Sequence, residues 1–138
     1  MQLRRKFSVA SDFDAVCAAL ADEKTLIGLF PDAKTEVLER SEGRCTLRSK
    51  YTALGQEGEA TFHFDFRRGD RVSFEKVCNG KVWKQLRGEV IAEESRGGTQ
   101  LRVEMKGATK AFVPELAIRI PMERQIDEMV EALSARLG

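Results

Sequence analysis

The stretch A-T-F-H-F-D-F-R-R, residues 60–68, holds the only histidine of a 138-residue chain, with Asp65 two positions on. A histidine beside a carboxylate suggests general acid–base chemistry, because the ring titrates near neutrality and the carboxylate can orient it. The spacing argues against that use. Phe62, Phe64 and Phe66 stand two apart with Thr61, His63 and Asp65 between them, so in a strand the rings share one face and the polar groups the other. Turning His63 inward would expose three phenylalanines at about 1.5–3 kcal/mol each. His63 is therefore expected on an outer face, and no catalytic residue is assigned. Cys17, Cys45 and Cys78 are widely spaced, with no C-x-x-C and no second histidine to complete a zinc set. They read as thiols in a reducing cytosol, and neither a metal nor a cofactor is expected.

The other residues able to act on a ligand are polar groups in phase with apolar ones. Arg5 lies between Leu3 and Phe7, Ser49 and Tyr51 follow Cys45 and Leu47, and Lys76 lies between Phe74 and Cys78. A buried charge needs a partner or a ligand, so Arg5, Ser49, Tyr51 and Lys76 are candidates to orient a mostly apolar molecule. The competing reading has Arg5 and Lys76 reaching water near strand ends and Ser49 and Tyr51 bonded locally. Phe62, Phe64, Phe66, Phe74, Met105, Phe112 and Leu116, with Met122 and Met129, are either plain core or the adaptable wall of a pocket. Trp83 shares a strand phase with Gln85, Arg87 and Glu89, which would leave it exposed or half covered, and an exposed tryptophan can serve as an interface anchor.

These side chains need a framework, and the sequence predicts one. Leu3 to Val9 alternates as a first strand. Ser11, with Asp14 three positions on, is expected to cap a helix whose stripe is Phe13, Val16, Cys17 and Leu20. Asp22 is expected to cap a second short helix, ended by Pro31. Strands follow: one through Val37 and Leu38, turning at Ser41 to Gly43; one from Cys45 to Tyr51, ending near Gly55 to Gly58; and the Phe62 strand, turning at Arg68 to Asp70. A strand through Val72 and Phe74 then leads to Asn79-Gly80, a two-residue hairpin signal. Lys81 to Glu93 forms a long strand with a bulge expected near Gly88, where Val90 and Ile91 are adjacent. S-R-G-G-T turns into Leu101, Val103 and Met105, with Gly97 and Gly98 supplying positive φ. Phe112, Leu116, Ile120, Ile126, Met129, Val130, Leu133 and Leu137 then fall at helical spacing. Pro114 suits that helix's first turn, and Pro121 either kinks it or marks its start.

The charges, 23 basic against 22 acidic residues, are interleaved, which excludes the basic stripe of a nucleic-acid binder. M-Q-L-R-R-K-F opens without an apolar h-region and no apolar run reaches spanning length, so a cytoplasmic protein without stable membrane insertion is expected.

F-S-V-A-S-D-F-D-A-V-C-A-A-L-A-D-E-K (7–24) resembles the opening of START-like (SRPBCC) proteins. L-F-P-D-A (29–33) resembles the step before their second strand, and G-G-T-Q-L-R-V (97–103) the turn before their last. The nearest resemblance is to the polyketide cyclase/dehydrase-like and carbon monoxide dehydrogenase G-subunit-like branch. It implies one α+β domain over residues 1–138 with the helix-grip (START/Bet v 1-like) fold: a curved seven-stranded antiparallel sheet around a long C-terminal helix, two short helices following the first strand. The sequence stops at Gly138, before the C-terminal extension by which the dehydrogenase-associated proteins can reach a membrane, so that role is not expected. What is expected is binding or transport of a small hydrophobic molecule (lipid, quinone or polyketide-like) between sheet and helix. The alternatives are a cyclase or dehydratase on the same fold and a protein-interaction or assembly helper without ligand; a homodimer stays open.

Overall fold

The computed structural model describes residues 1–30, 33–53 and 56–138. The chain runs β1 (Gln2–Val9), α1 (Phe13–Leu20), α2 (Glu23–Gly28), β2 (Lys34–Ser41), β3 (Arg44–Ala53), β4 (Gln56–Asp65), β5 (Arg71–Lys76), β6 (Trp83–Ser95), β7 (Gly98–Thr109) and α3 (Glu115–Leu137). The strands form one seven-stranded antiparallel sheet in the order β1-β7-β6-β5-β4-β3-β2. This is the expected helix-grip α+β arrangement, with α3 laid on the inner face nearest β1 and β7.

The helices form where apolar spacing and caps agree, though one cap differs from expectation. Asp12, not Ser11, is the N-cap of α1, its carboxylate accepting from the Ala15 N–H at 2.8 Å. Ser11 serves the other end of the molecule. Its hydroxyl and its N–H both donate to the Leu137 carbonyl, at 2.7 and 3.1 Å. The last carbonyls of a helix lack partners within it, so this contact satisfies the end of α3 and ties it to the β1–α1 junction. Asp22 caps α2 as expected, accepting from the Lys24 N–H. The part assigned to Pro31 lies outside the described residues, as does Gly55.

Three strand expectations are corrected. Gly58 is not in a turn but inside β4, opposite Tyr51. Asn79-Gly80 does not make a two-residue hairpin, which would set Cys78 opposite Lys81 and Phe74 opposite Gln85. Phe74 instead pairs with Gly88, the residue whose missing side chain leaves room for its ring, and the connection lengthens to fit. The β6 irregularity falls between Trp83 and Gln85 rather than near Gly88. It puts Trp83 in phase with Leu86, and the indole is buried in the core, over Gly107. Ile91 needs no bulge: it lies on the outer face between its cross-strand neighbours Arg71 and Arg102, 4 % exposed beneath their aliphatic stems. Of the two glycines expected at positive φ in the β6–β7 turn, only Gly97 adopts it (81°).

α3 is continuous through Pro121. Its buried stripe is Met122, Ile126, Met129, Leu133 and Leu137. Phe112, Leu116 and Ile120, expected on that stripe, are exposed instead, Phe112 preceding the helix altogether. Helical spacing aligned these residues with each other but not with the face that the second half of α3 buries.

Candidate functional site

Cross-strand registration sorts the inner face into rows, and the rows change character along the strands. The middle row is Cys45, Phe64, Phe74, Gly88, Met105 and Leu3, running across six strands. All are buried, and the Phe64 and Phe74 centroids are 5.8 Å apart. The next row is Leu47, Phe62 and Lys76. Phe62 is stacked on Phe30 at 5.0 Å and meets Phe74 edge-on at 6.2 Å. Beyond it come Ser49 opposite Ala60, then Tyr51 opposite Gly58. Toward this end of β3 and β4 the inner face gives up apolar bulk for a hydroxyl, a methyl and a bare backbone.

Each polar candidate has a defined place. Ser49 is buried and shares a hydrogen bond of 2.9 Å with Thr35 of β2, so its polarity is satisfied within the sheet. Tyr51 lies across β4: a Cβ placed on Gly58 would sit 2.6 Å from the Tyr51 Cζ. The ring remains 41 % exposed, at the rim of the inner face. Lys76 is half-buried, its Nζ 3.4 Å from the Val77 carbonyl. It extends the row of Leu47 and Phe62, placing an ammonium group at the edge of the aromatic cluster. Arg5, mid-strand in β1, donates to Asp127 of α3 at 2.9 Å, which fastens helix to sheet and occupies the guanidinium.

The apolar candidates divide. Phe62, Phe64, Phe74 and Met105 are core. Phe66, just past β4, is half-buried and borders a groove with Ala18, Ala21 and Ile27 of the α1–α2 segment. Phe112 and Leu116, 99 % and 83 % exposed, stand outside the inner face. Phe30 and Thr35 were missed by sequence reasoning, since their contacts come from register and from the return of the α2–β2 segment over the sheet. An aromatic residue opposite a glycine was the available signal, and it recurs: Tyr51 over Gly58, Phe74 over Gly88, Trp83 over Gly107.

His63 is on the outer face, as expected, its Nδ1 2.8 Å from the Thr46 hydroxyl. It borders an open groove of about 810 Å³ walled by Thr46, Glu75, Arg87 and Lys106. At the groove's edge Arg67 holds the Asp65 carboxyl down to about 2 through side-chain hydrogen bonds and its own N–H, and in the neighbouring turn Asp70 is lowered by Arg71. Burial pushes the Cys45 and Cys17 thiols up, with nearby Asp70 adding to the effect on Cys17, so neither is prepared as a nucleophile. The buried position of Trp83 removes the outer-face anchor on which an interaction module would have relied.

No family profile and no curated protein matches the sequence. Solved structures do. The chain is similar to the Zhui aromatase/cyclase from Streptomyces sp. R1128 (21 % identity, TM-score 0.82, 99 % of this chain and 93 % of that one). It is also similar to a START superfamily protein from Mycobacterium smegmatis (17 %, 0.78, 99 % and 96 %) and to the major latex-like protein 151 of Panax ginseng (12 %, 0.72, 99 % and 97 %). The fold is that of the START-like, polyketide-cyclase-like proteins.

Proposed function

We propose that the protein binds a small hydrophobic molecule bearing one polar group, on the inner face of the sheet toward the Tyr51 end of β3 and β4, beside Lys76 of β5. The observation that supports this is the change along that face from packed aromatics to Ser49, Ala60 and Gly58, with Tyr51 at the rim and Lys76 beside Phe62. An apolar ligand would lie against Phe62 and be oriented by the Tyr51 hydroxyl and the Lys76 ammonium, few polar groups setting the pose and apolar area the affinity. The likeness to ligand-handling folds supports a binding role, and three free cysteines support a reducing, cytoplasmic setting.

Native mass spectrometry on gently purified protein tests this. The expected result is a mass excess that disappears on denaturation as an apolar compound is released, and a weaker hold on that compound in Tyr51→Phe and Lys76→Ala. A clean apo mass, together with no uptake from a panel of fatty acids, quinones and aromatic polyketides, would overturn it. A cyclase-type enzyme is the second reading, favoured by the likeness to an aromatase/cyclase. In it Tyr51 and Lys76 are the groups placed to move a proton, and both variants would abolish turnover of a bound substrate that they still retain.

A further inference from the structure

Exposed apolar side chains are gathered at one end of the molecule. Among the described residues the large exposed hydrophobics are Leu38, Tyr51, Val82, Phe112, Leu116 and Ile120. All but Leu38 belong to the end where β3 runs out, β5 passes to β6, and β7 passes to α3. The two connections there are joined: the Lys110 N–H donates to the Val82 carbonyl at 2.8 Å, and the Lys110 ammonium to the Gly80 carbonyl. The Thr109 hydroxyl donates to the Val113 carbonyl at 2.8 Å, holding the turn that presents Phe112. Phe112, Leu116 and Ile120, exposed by 99, 83 and 71 %, therefore project from a braced support.

The charged side chains of the two joined connections and the start of β6, residues 77–84 and 109–114, are all lysines: Lys81, Lys84 and Lys110. Elsewhere several arginines are paired with carboxylates across the sheet, as in Arg4–Glu104, Arg71–Glu89 and Arg48–Glu36. Among the described residues Lys81, Lys84 and Lys110 pair with no carboxylate, Lys50 being the one lysine that does (with Glu59, 3.8 Å). Glu115, the nearest acid in sequence to Phe112, faces the Met1 amine at 3.5 Å.

We infer that this end docks on an anionic lipid surface, Phe112, Leu116 and Ile120 entering the headgroup boundary while Lys81, Lys84 and Lys110 meet the lipid phosphates. Apolar side chains beside unpaired lysines are the pattern by which a protein lies on a membrane, and among the described residues no helix is long and apolar enough to cross one. A second copy fits less well, because a two-fold contact would set these lysines against their own duplicates. A protein partner would need a recess for each projecting side chain, whereas a fluid lipid boundary receives them without one. The inference stands independently of any ligand held by the inner face.

Co-sedimentation with vesicles tests it, using phosphatidylcholine alone and phosphatidylcholine mixed with phosphatidylglycerol. The expected result is binding to the mixed vesicles at least about tenfold tighter than to the neutral ones, weakened by salt. Phe112→Ser with Leu116→Ser, and separately Lys81→Glu with Lys84→Glu, should each lower that binding about tenfold or more while leaving the thermal melt in place, since all four side chains are exposed. Equal binding to both vesicle types, binding that survives either double variant, or no binding at all would overturn it. So would a wild-type dimer in sedimentation velocity that Phe112→Ser with Leu116→Ser dissolves, which would assign the ridge to a second copy.

Discussion

At the scale of single residues, three glycines matter through the side chain they lack. A Cβ on Gly88 would lie 2.4 Å from the Phe74 Cζ and 2.6 Å from the Glu104 carbonyl oxygen. One of these neighbours is backbone in the middle of the sheet and cannot withdraw. Gly88→Ala should therefore destabilise by about 1–3 kcal/mol, the ordinary range for overpacking, read as a lower urea midpoint at unchanged slope. An unchanged midpoint would mean that the Phe74 ring rests elsewhere. Gly58 under Tyr51 is the same device at the rim, where the ring can swing out to water. The pattern was present in the sequence as aromatic and glycine residues, but only register shows which glycine lies under which ring.

At the scale of elements, α3 makes the clearest case. Its second half is amphipathic in the expected way, and Met122, Ile126, Met129, Leu133 and Leu137 close over the sheet. Its first half carries Pro121, which has no N–H to return to the Ala117 carbonyl. Of the two sequence readings of this proline, a kink or the start of the helix, the second is overturned, since the helix begins at Glu115 and runs on through Pro121. Pro121→Ala should restore the missing bond and raise stability by up to about 3 kcal/mol, visible as a higher melting temperature with slightly more far-ultraviolet helical signal. A lower melting temperature would show that the proline's shape is needed where α3 begins its descent onto β1 and β7. The same scale explains Ser11. A capping box was legible next to Phe13, yet a serine able to cap either of two helices is decided by which end lies near it, and the end of α3 does.

At the scale of the whole molecule, the outer face is a lattice of charges whose acid response can be read directly. Asp65 is held at about 2, well below its ordinary 3.8, chiefly by hydrogen bonds from the Arg67 side chain, and Asp70 and Glu36 are lowered chiefly by those from Arg71 and Arg48. Between those bounds the unfolded chain binds more protons than the folded one, so stability rises with pH across the window. The contribution is complete above about pH 4 to 5 and is lost as pH falls toward 2. Because these carboxylates are largely exposed and screened, its size is modest. Urea unfolding at pH 6 and pH 3 should show a falling midpoint, and Asp65→Asn should reduce the difference while lowering the pH 6 value. A variant with the full wild-type difference would remove Asp65 from the account.

The sequence by itself determined the order of elements, the antiparallel sheet, the outward side of His63 and the inward side of Phe62 and Phe64. Each follows from a local period and from the cost of wetting apolar surface, which depend on near neighbours along the chain. Tertiary structure alone decided the register that lays Phe74 on Gly88, the irregularity that turns Trp83 inward, the Arg5–Asp127 contact and the exposure of Phe112, Leu116 and Ile120. These depend on how distant segments meet. A period of two or of 3.6 says which residues share a face and is silent about what that face will touch. A one-residue offset in a strand reverses every side chain beyond it, and a helix longer than the surface it covers leaves its remaining apolar residues in water.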